Sequence, residues 1–352
     1  MRYYPVLIPT LNRFTHFKDC VESLVKCTYS DKTELVIGLD YPPSEKYVEG
    51  YKNIKDYIPT IAGFGKITVF EHNENKGPAG NFEILINYAK SQYDAYILSE
   101  DDNVFSPAFL DYMNKMLELY RNDDRVFSVG GFNFLEAYDQ GENNFYFCKD
   151  NCAWGMGLWK NKVSIISTIL DDRCFFKHSL CDKSDAIKII NTYPALYGML
   201  HAMIKRNESW GDVMFTTINI LCDKYQVRPA ISLVRNCGYD GSGVHCCSDD
   251  DGLSTQRISE AVLFEVTGKV EPADTEMSKR ALYYYGMPKD NKARQLFLKN
   301  ILFLYKSNTS LLSFSSFVRV YYWFRAKLGI RTRIMYLVNL MRKFRKRFLV
   351  RS

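Results

Sequence analysis

Through the first 130 residues, short apolar runs alternate with stretches in which apolar positions recur every three or four residues. A strand buried on both faces is apolar throughout, whereas a covering helix needs one apolar stripe, so this alternation predicts an α/β sheet with crossover helices. PVLIPT predicts a first strand, and FTHFKDCVESLVKC a helix with Phe17, Val21 and Leu24 on one face. ELVIGLD and KITVFEH predict strands two and three, GNFEILINYAKSQ a helix, and DAYILSEDD a fourth strand. The predicted strands end in Pro9-Thr10-Leu11-Asn12, Asp40, His72-Asn73, and Glu100-Asp101-Asp102, all rich in polar residues. Ligands of open α/β sheets bind beyond the carboxyl ends of the strands, so these four ends are expected to line one crevice.

A helix is expected from Ser106 to about Asn122, then a strand in RVFSVGGFNF. Residues 136–160 lose periodicity and are rich in Gly, Asn, Cys and aromatics, a second helical region covers roughly 181–225, and glycine-rich loop chemistry returns in NCGYDGSGVHCCSDDDG. Near the end, Ile334, Leu337, Val338, Met341, Phe344 and Phe348 recur at helical spacing among Arg331, Arg333, Arg342, Lys343, Arg345, Lys346 and Arg347. Residues 291–352 hold fifteen Lys or Arg and no Asp or Glu, which leaves a net charge of −9 on the first 290 residues against +6 for the whole chain. No run there reaches the uncharged length of a spanning helix, and the pattern is that of a basic amphipathic helix on an anionic membrane surface, with Tyr321, Tyr322 and Trp323 as interfacial anchors. The alternative is a helix packed on the acidic part of the same chain.

A chain of 352 residues, 47% hydrophobic and 24% charged, has the composition of a folded globular protein. MRYY runs into PVLI without a cleavage site, so no signal peptide is expected. The ten cysteines include no C-x-x-C pair, which favours reduced thiols in a cytoplasm. Cys237, His245, Cys246 and Cys247 suggest zinc only weakly, because adjacent cysteines rarely both reach one tetrahedral ion.

Three acids after a buried strand repel one another, and an uncompensated buried carboxylate costs several kcal/mol, so a positive partner is expected beside Glu100, Asp101 and Asp102. Hard divalent cations such as Mg²⁺ and Mn²⁺ take one or two carboxylates and complete their shell with phosphate and water. The competing reading has Asp101 or Asp102 cap the following helix.

ILSEDDNVFSPAFLDYM resembles the acidic metal-binding motif of GT-A-fold glycosyltransferases, its Glu-Asp-Asp being similar to that of the N-acetylglucosaminyltransferase I type. PVLIPTLNR resembles the first strand and loop of the same fold in the bacterial sugar transferases of family 2, and HNENKGPAGN their N-x-G-x-x-x-x-N turn. The resemblance implies a GT-A mixed sheet flanked by helices, with a C-terminal helical basic extension. It places Thr10, Asn12 and Arg13 by the nucleotide, Asp40 on the uracil or ribose, and Lys76 and Asn81 near the ribose or diphosphate. Asp102 would bind the metal, Mn²⁺ or Mg²⁺, while Asp101 and Glu100 orient ribose, sugar hydroxyls or metal waters. The sequence departs from the pattern at Gly80, where the family has Arg, and at Asp40, where it has paired acids.

NCAWGMGLW is similar to the segment that lines the sugar and acceptor pocket, which implicates Trp154, Gly155 and Gly157, with core packing the alternative for Trp154 and the preferred reading for Trp159. SWGDVMF resembles the segment carrying the catalytic base of inverting enzymes. Asp212 would be that base, Glu208 the fallback and Trp210 a pocket residue, while Asp212 as an N-cap is the structural alternative. NCGYDGSGVHC resembles a segment whose His, here His245, completes the metal shell or contacts the diphosphate, and Arg235 is a further phosphate candidate. The implied organisation is a catalytic domain over 1–255, with a nucleotide-binding half 1–130 and an acceptor half 131–255. A helical connection 256–310 and basic amphipathic helices 311–352 follow.

The implied activity is metal-dependent, inverting transfer of a sugar from a nucleotide diphosphate donor, UDP-linked, to a hydroxyl of a glycan acceptor. The acceptor could be lipid-linked, the setting bacterial surface polysaccharide or lipopolysaccharide assembly, and the location cytoplasmic, on the inner face of the membrane. A nucleotidyltransferase is disfavoured because PTLNRFTH lacks the glycines of its phosphate loop. A non-catalytic membrane-bound scaffold is the other class, and a nucleic-acid partner is not expected, since no recognised motif accompanies the basic tail.

Overall fold

The computed structural model describes residues 2–134, 144–171, 173–242, 253–266, 270–273 and 278. The chain divides into two compact units, Met1–Asp171 with Cys222–Ala281, and Asp172–Leu221 with Leu282–Ser352.

The first unit is built on an eight-stranded mixed sheet. Four parallel strands come from the first hundred residues: β1 (Val6–Thr10), β2 (Glu34–Leu39), β3 (Lys66–Glu71) and β4 (Ala95–Leu98). Helices α1 (Phe14–Val25), α2 (Val48–Tyr57) and α3 (Gly77–Gln92) lie in the crossovers. β2 and β4 are buried at every position and β1 at all but one, as expected for inner strands, whereas β3 is partly exposed and stands at the sheet edge. Helix α2 falls in a stretch for which the sequence pattern gave no element.

The remaining strands are β5 (Asn103–Phe105), β6 (Val126–Gly130), β7 (Phe145–Cys148), β8 (Met156–Trp159), β9 (Tyr225–Pro229) and β10 (Val234–Asn236). The order of the large sheet is β3-β2-β1-β4-β8-β6-β9-β7, with β8 antiparallel to both β4 and β6. Helix α4 (Phe109–Leu119) packs against β6 and β8, and α5 (Lys160–Asp171) follows β8 directly. Residues 136–160, which looked irregular, therefore supply two strands, and Trp159 ends a strand instead of starting a helix. Trp159 is fully buried and its Nε1 donates to the Leu117 carbonyl at 2.9 Å, which makes it a core residue.

Beside the large sheet, β5 pairs antiparallel with β10, setting Asn103 opposite Asn236 and Val104 opposite Arg235. This two-stranded ribbon ties the chain after Asp102 to a segment more than 130 residues away.

The described part of the second unit is helical: α6 (Arg173–Cys181), α7 (Lys183–Thr192), α8 (Pro194–Arg206) and α9 (Gly211–Leu221). The Asp182 side chain caps α7 by accepting from the Asp185 amide, and Asn207 ends α8 in the left-handed conformation. The basic residues 311–352 and His245 lie outside the described residues. Among the described residues, no helix is long and apolar enough to cross a membrane.

Candidate active site

β4 leaves the sheet at Leu98, and Glu100, Asp101 and Asp102 form the turn that leads into β5. Asp101 and Asp102 are both buried, and the positive partner that burial demands is Arg13, from the loop between β1 and α1. Its guanidinium forks across the pair: Nη2 pairs with Oδ1 of Asp101, and Nη1 with Oδ2 of Asp102 at 2.7 Å. The other carboxylate oxygens have donors as well. Thr10 Oγ1 donates to Asp101 Oδ2 at 2.9 Å, and Asn236 Nδ2 to Asp102 Oδ1 at 2.8 Å. Neither acid caps α4, which starts at Phe109.

One guanidinium brings a single positive charge to two acids. Burial pushes the Asp101 carboxyl above its ordinary range and the neighbouring Asp102 adds to this, while Arg13 and the Thr10 hydroxyl pull it back.

The ribbon closes over this turn. The Cys237 amide donates to the Asp102 carbonyl at 2.8 Å, and the Gly238 amide to Asn236 Oδ1 at 2.9 Å. Gly238 lies against Asp102, where only a residue without a side chain fits. His16 holds the same loop from α1: its Nε2 stands 3.3 Å from the Cys237 carbonyl and 3.2 Å from Asp240 Oδ2. Sequence reasoning passed over His16 and Asn236. His16 was findable, since His16 and Cys20 share one face of α1 four residues apart, and the Cys20 thiol reaches the Glu100 carbonyl at 3.6 Å. Asn236 was not, because its role depends on the β5–β10 pairing.

At the neighbouring strand ends, Asp40 follows β2 and fastens the turn before α3. Its Oδ1 accepts from the amides of Lys76 at 2.8 Å and Tyr41 at 2.9 Å, and its Oδ2 from Asn75 Nδ2 at 3.1 Å. The Lys76 ammonium pairs with Glu74. Asn81 is buried, donating to the Gly38 carbonyl at 2.8 Å and meeting His72 Nε2 at 3.1 Å, so it ties α3 to the ends of β2 and β3. Asn12 contributes its carbonyl, which accepts from the Phe14 amide at 3.0 Å.

Trp154 precedes β8 in a group of aromatic rings, with centroids 4.6 Å from Phe132, 6.2 Å from Phe134 and 6.0 Å from Tyr239. Tyr239 adjoins Gly238, so this group borders the ribbon loop that covers Asp102. Gly155 has φ +64, a left-handed conformation that disfavours a side chain, and Gly157 packs in β8 beneath Met113 and Leu117.

In the second unit, Asp212 is exposed in the first turn of α9, inside the helix instead of at its cap. A carboxylate there is favoured by the partial positive charge of the helix N-terminus. Glu208 accepts from Trp210 Nε1 at 2.8 Å, and the Arg206 guanidinium lies 5.7 Å from the Trp210 ring centroid.

The donor chemistry of the Asp101–Asp102 turn, carboxylate oxygens without soft ligands, suits a hard divalent cation. Among the described residues no group of three or more His, Cys, Asp or Glu gathers as a metal site, and the counter-charge on the turn is Arg13.

A parallel β3-β2-β1-β4 core extended by antiparallel β8, with an acidic turn at the end of β4, is the GT-A architecture. The sequence model of glycosyl transferase family 2 matches residues 6–157, a span from β1 to β8, so this part of the chain is similar to the family 2 glycosyltransferases. The structure of S. aureus TarS 1–349 is 12% identical, with 47% of this chain and 49% of that chain covered and a TM-score of 0.31. Mouse xyloside xylosyltransferase 1 in its apo form is 9% identical, with 62% and 82% covered and a TM-score of 0.36. The mannosyltransferase PcManGT from Pyrobaculum calidifontis, in complex with GDP-Man and Mn²⁺, is 9% identical, with 90% and 86% covered and a TM-score of 0.33. The chain spans about half the length of the TarS 1–349 structure that it matches. No curated protein matches the chain.

Proposed function

We propose that the protein transfers a sugar, with inversion, from a nucleotide diphosphate donor, UDP-linked, to a hydroxyl of a glycan acceptor. The observation that carries this reading is the buried Asp101–Asp102 turn at the carboxyl end of the central parallel strands, enclosed by Thr10, Arg13 and the 236–238 loop. Two buried acids in that position are costly to a fold and have a use where a charged ligand binds.

Asp102, with Asp101 beside it, would hold Mn²⁺ or Mg²⁺, and that ion when bound supplies charge neutralisation for the departing diphosphate. Thr10, Asn12, Arg13, Asp40, Lys76, Asn81 and Glu100 would line the nucleotide side, Asp40 and Asn81 mainly by fixing the loops that bear the others. Trp154, Gly155, Gly157 and Trp210 would shape the sugar and acceptor pocket, with an indole face against the apolar face of a sugar ring. Asp212 would take the proton of the attacking hydroxyl, and no protein acid is needed on the leaving side because a diphosphate departs as a stable anion. His245 would complete the metal shell or contact the diphosphate. The basic residues 311–352 would lie on an anionic membrane surface on the cytoplasmic side, next to a lipid-linked acceptor of surface polysaccharide or lipopolysaccharide assembly.

The test is a panel of nucleotide sugars with Mn²⁺, read by thermal stabilisation and by donor hydrolysis. A UDP-sugar is expected to stabilise the protein; Asp102→Asn and Asp212→Asn are expected to lose transfer, the second while still binding donor. Stabilisation by no nucleotide would count against the whole reading, and full activity of either variant would remove that residue from the mechanism. Equal partitioning of full-length protein and a chain truncated near residue 310 onto anionic liposomes would remove the membrane role.

A further inference from the structure

The acidic turn is already compensated within the chain. Each of the four carboxylate oxygens of Asp101 and Asp102 has a protein donor, and one oxygen of each acid is held by the same guanidinium. A divalent cation and a guanidinium of the same sign cannot share those two oxygens in a buried site, because their repulsion there is screened far less than in water. Asp102 has no spare direction on the ribbon side either, since Gly238 packs against Oδ2 and Asn236 donates to Oδ1. Arg13 stands on a loop with its side chain 19% exposed, so it has a route to solvent that the two acids lack. Its planar fork fits phosphate oxygens as well as carboxylate oxygens.

Resting on the metal-dependent transfer proposed above, we infer that Arg13 is a resident counter-cation that competes with the metal. In the nucleotide-free protein its guanidinium holds the carboxylate oxygens a divalent ion needs, and it gives them up when a diphosphate offers the fork an alternative anion. Metal and nucleotide then bind in a coupled way, each raising the affinity of the other, and the empty enzyme takes up little metal. Arg13 is in this sense a positioning residue with two alternative anionic partners.

The experiment measures free Mn²⁺ by electron paramagnetic resonance, with thermal melting in parallel, on full-length wild type, Arg13→Gln and Arg13→Lys, each with and without UDP. Wild type without UDP is expected to bind Mn²⁺ weakly, with an unmoved melting temperature, and to bind it well once UDP is present. Arg13→Gln without UDP is expected to bind Mn²⁺ tighter than wild type by about tenfold or more, the scale on which groups beside metal ligands act, and to be stabilised by Mn²⁺ alone. Where the loss of counter-charge prevents Arg13→Gln from folding, Arg13→Lys decides. Its ammonium lacks the planar fork that sets one nitrogen on each acid, and an intermediate gain in Mn²⁺ affinity is expected. A merely structural Arg13 would not produce that gain. Tight Mn²⁺ binding by wild type without UDP, or no gain in the variants while wild type binds Mn²⁺ with UDP, would overturn the competition and leave the metal-dependent reading intact. No Mn²⁺ binding by any sample even with UDP would overturn both.

Discussion

Gly238 and Asp102 are in direct contact across the ribbon: a Cβ placed on Gly238 would stand 2.1 Å from Oδ2 of the carboxylate and 3.3 Å from Nη1 of Arg13. The loop after β10 is thus moulded on the acidic turn, and a single methyl group is enough to separate them. Gly238→Ala is expected to displace Asp102 and the Arg13 fork, lowering kcat/KM by about a hundredfold, the usual penalty for misplacing a reacting group by an ångström. Far-UV circular dichroism should stay that of wild type. Unchanged kcat/KM would mean that the loop yields freely.

Glu34 sets a pH dependence of folding. Its buried carboxylate accepts from Thr68, Tyr88 and Tyr93 and pairs with Lys66 at 2.9 Å. Burial alone would raise its pKa, but these donors overcome it and hold the carboxyl down at about 2. A depressed folded pKa gives stability that is present above the ordinary value and is lost as pH falls toward the folded one. The urea midpoint is therefore expected to decline between about pH 5 and pH 2, and Glu34→Gln should start lower and flatten that slope. Parallel curves for the two proteins would exclude this cluster as the source.

Arg228 in β9 is fully buried and pairs with Asp150 at 2.7 Å, with Nε donating to Gln226 Oε1 at 2.7 Å. Arg228→Met strands a buried carboxylate and is expected to cost about 3–5 kcal/mol. Arg228→Met combined with Asp150→Asn should recover part of that loss. Strict additivity in denaturant melts would show the pair to be uncoupled.

The two tryptophans of the NCAWGMGLW segment should behave differently. Trp159→Phe removes the donor to the Leu117 carbonyl inside the core and is expected to cost about 1–3 kcal/mol with little change in transfer kinetics per folded molecule. Trp154→Ala, beside the ribbon loop, is expected to raise the KM for a sugar-bearing substrate more than it lowers stability. A Trp154→Ala enzyme with normal KM would return that ring to core packing.

The parallel half of the sheet was legible because its strands are buried on both faces and read as continuous apolar runs ending in polar residues, from Val6–Thr10 to Ala95–Leu98. The acidic turn was legible for the same reason, since three carboxylates after a buried run call for a counter-charge. That the counter-charge is Arg13 depends on the path of the loop after β1, which no local pattern encodes. β7 and β8 have four residues each and sit among Gly, Asn and Cys, so their strand character comes from pairing and not from periodicity. Asn236 reaches Asp102 only through the β5–β10 ribbon, a contact between residues 134 positions apart. Asp212 could be placed on a helix from its sequence, and its first-turn position satisfies helix electrostatics whether or not it takes a proton.

The helices from Arg173 to Leu221 interrupt the sheet unit between α5 and β9, and this has a consequence for the order of folding. On a ribosome, β1 to β4 can pair while the rest of the chain is still unmade, but β9 cannot join β6, nor β10 join β5, until the whole helical excursion has emerged. Closing contacts of such long sequence separation is slow, because chain entropy is lost before the contact rewards it. The acidic turn is therefore synthesised well before the segment that encloses it. Until Asn236 and Gly238 arrive, Thr10 and Arg13 alone are at hand to restrain two mutually repelling carboxylates.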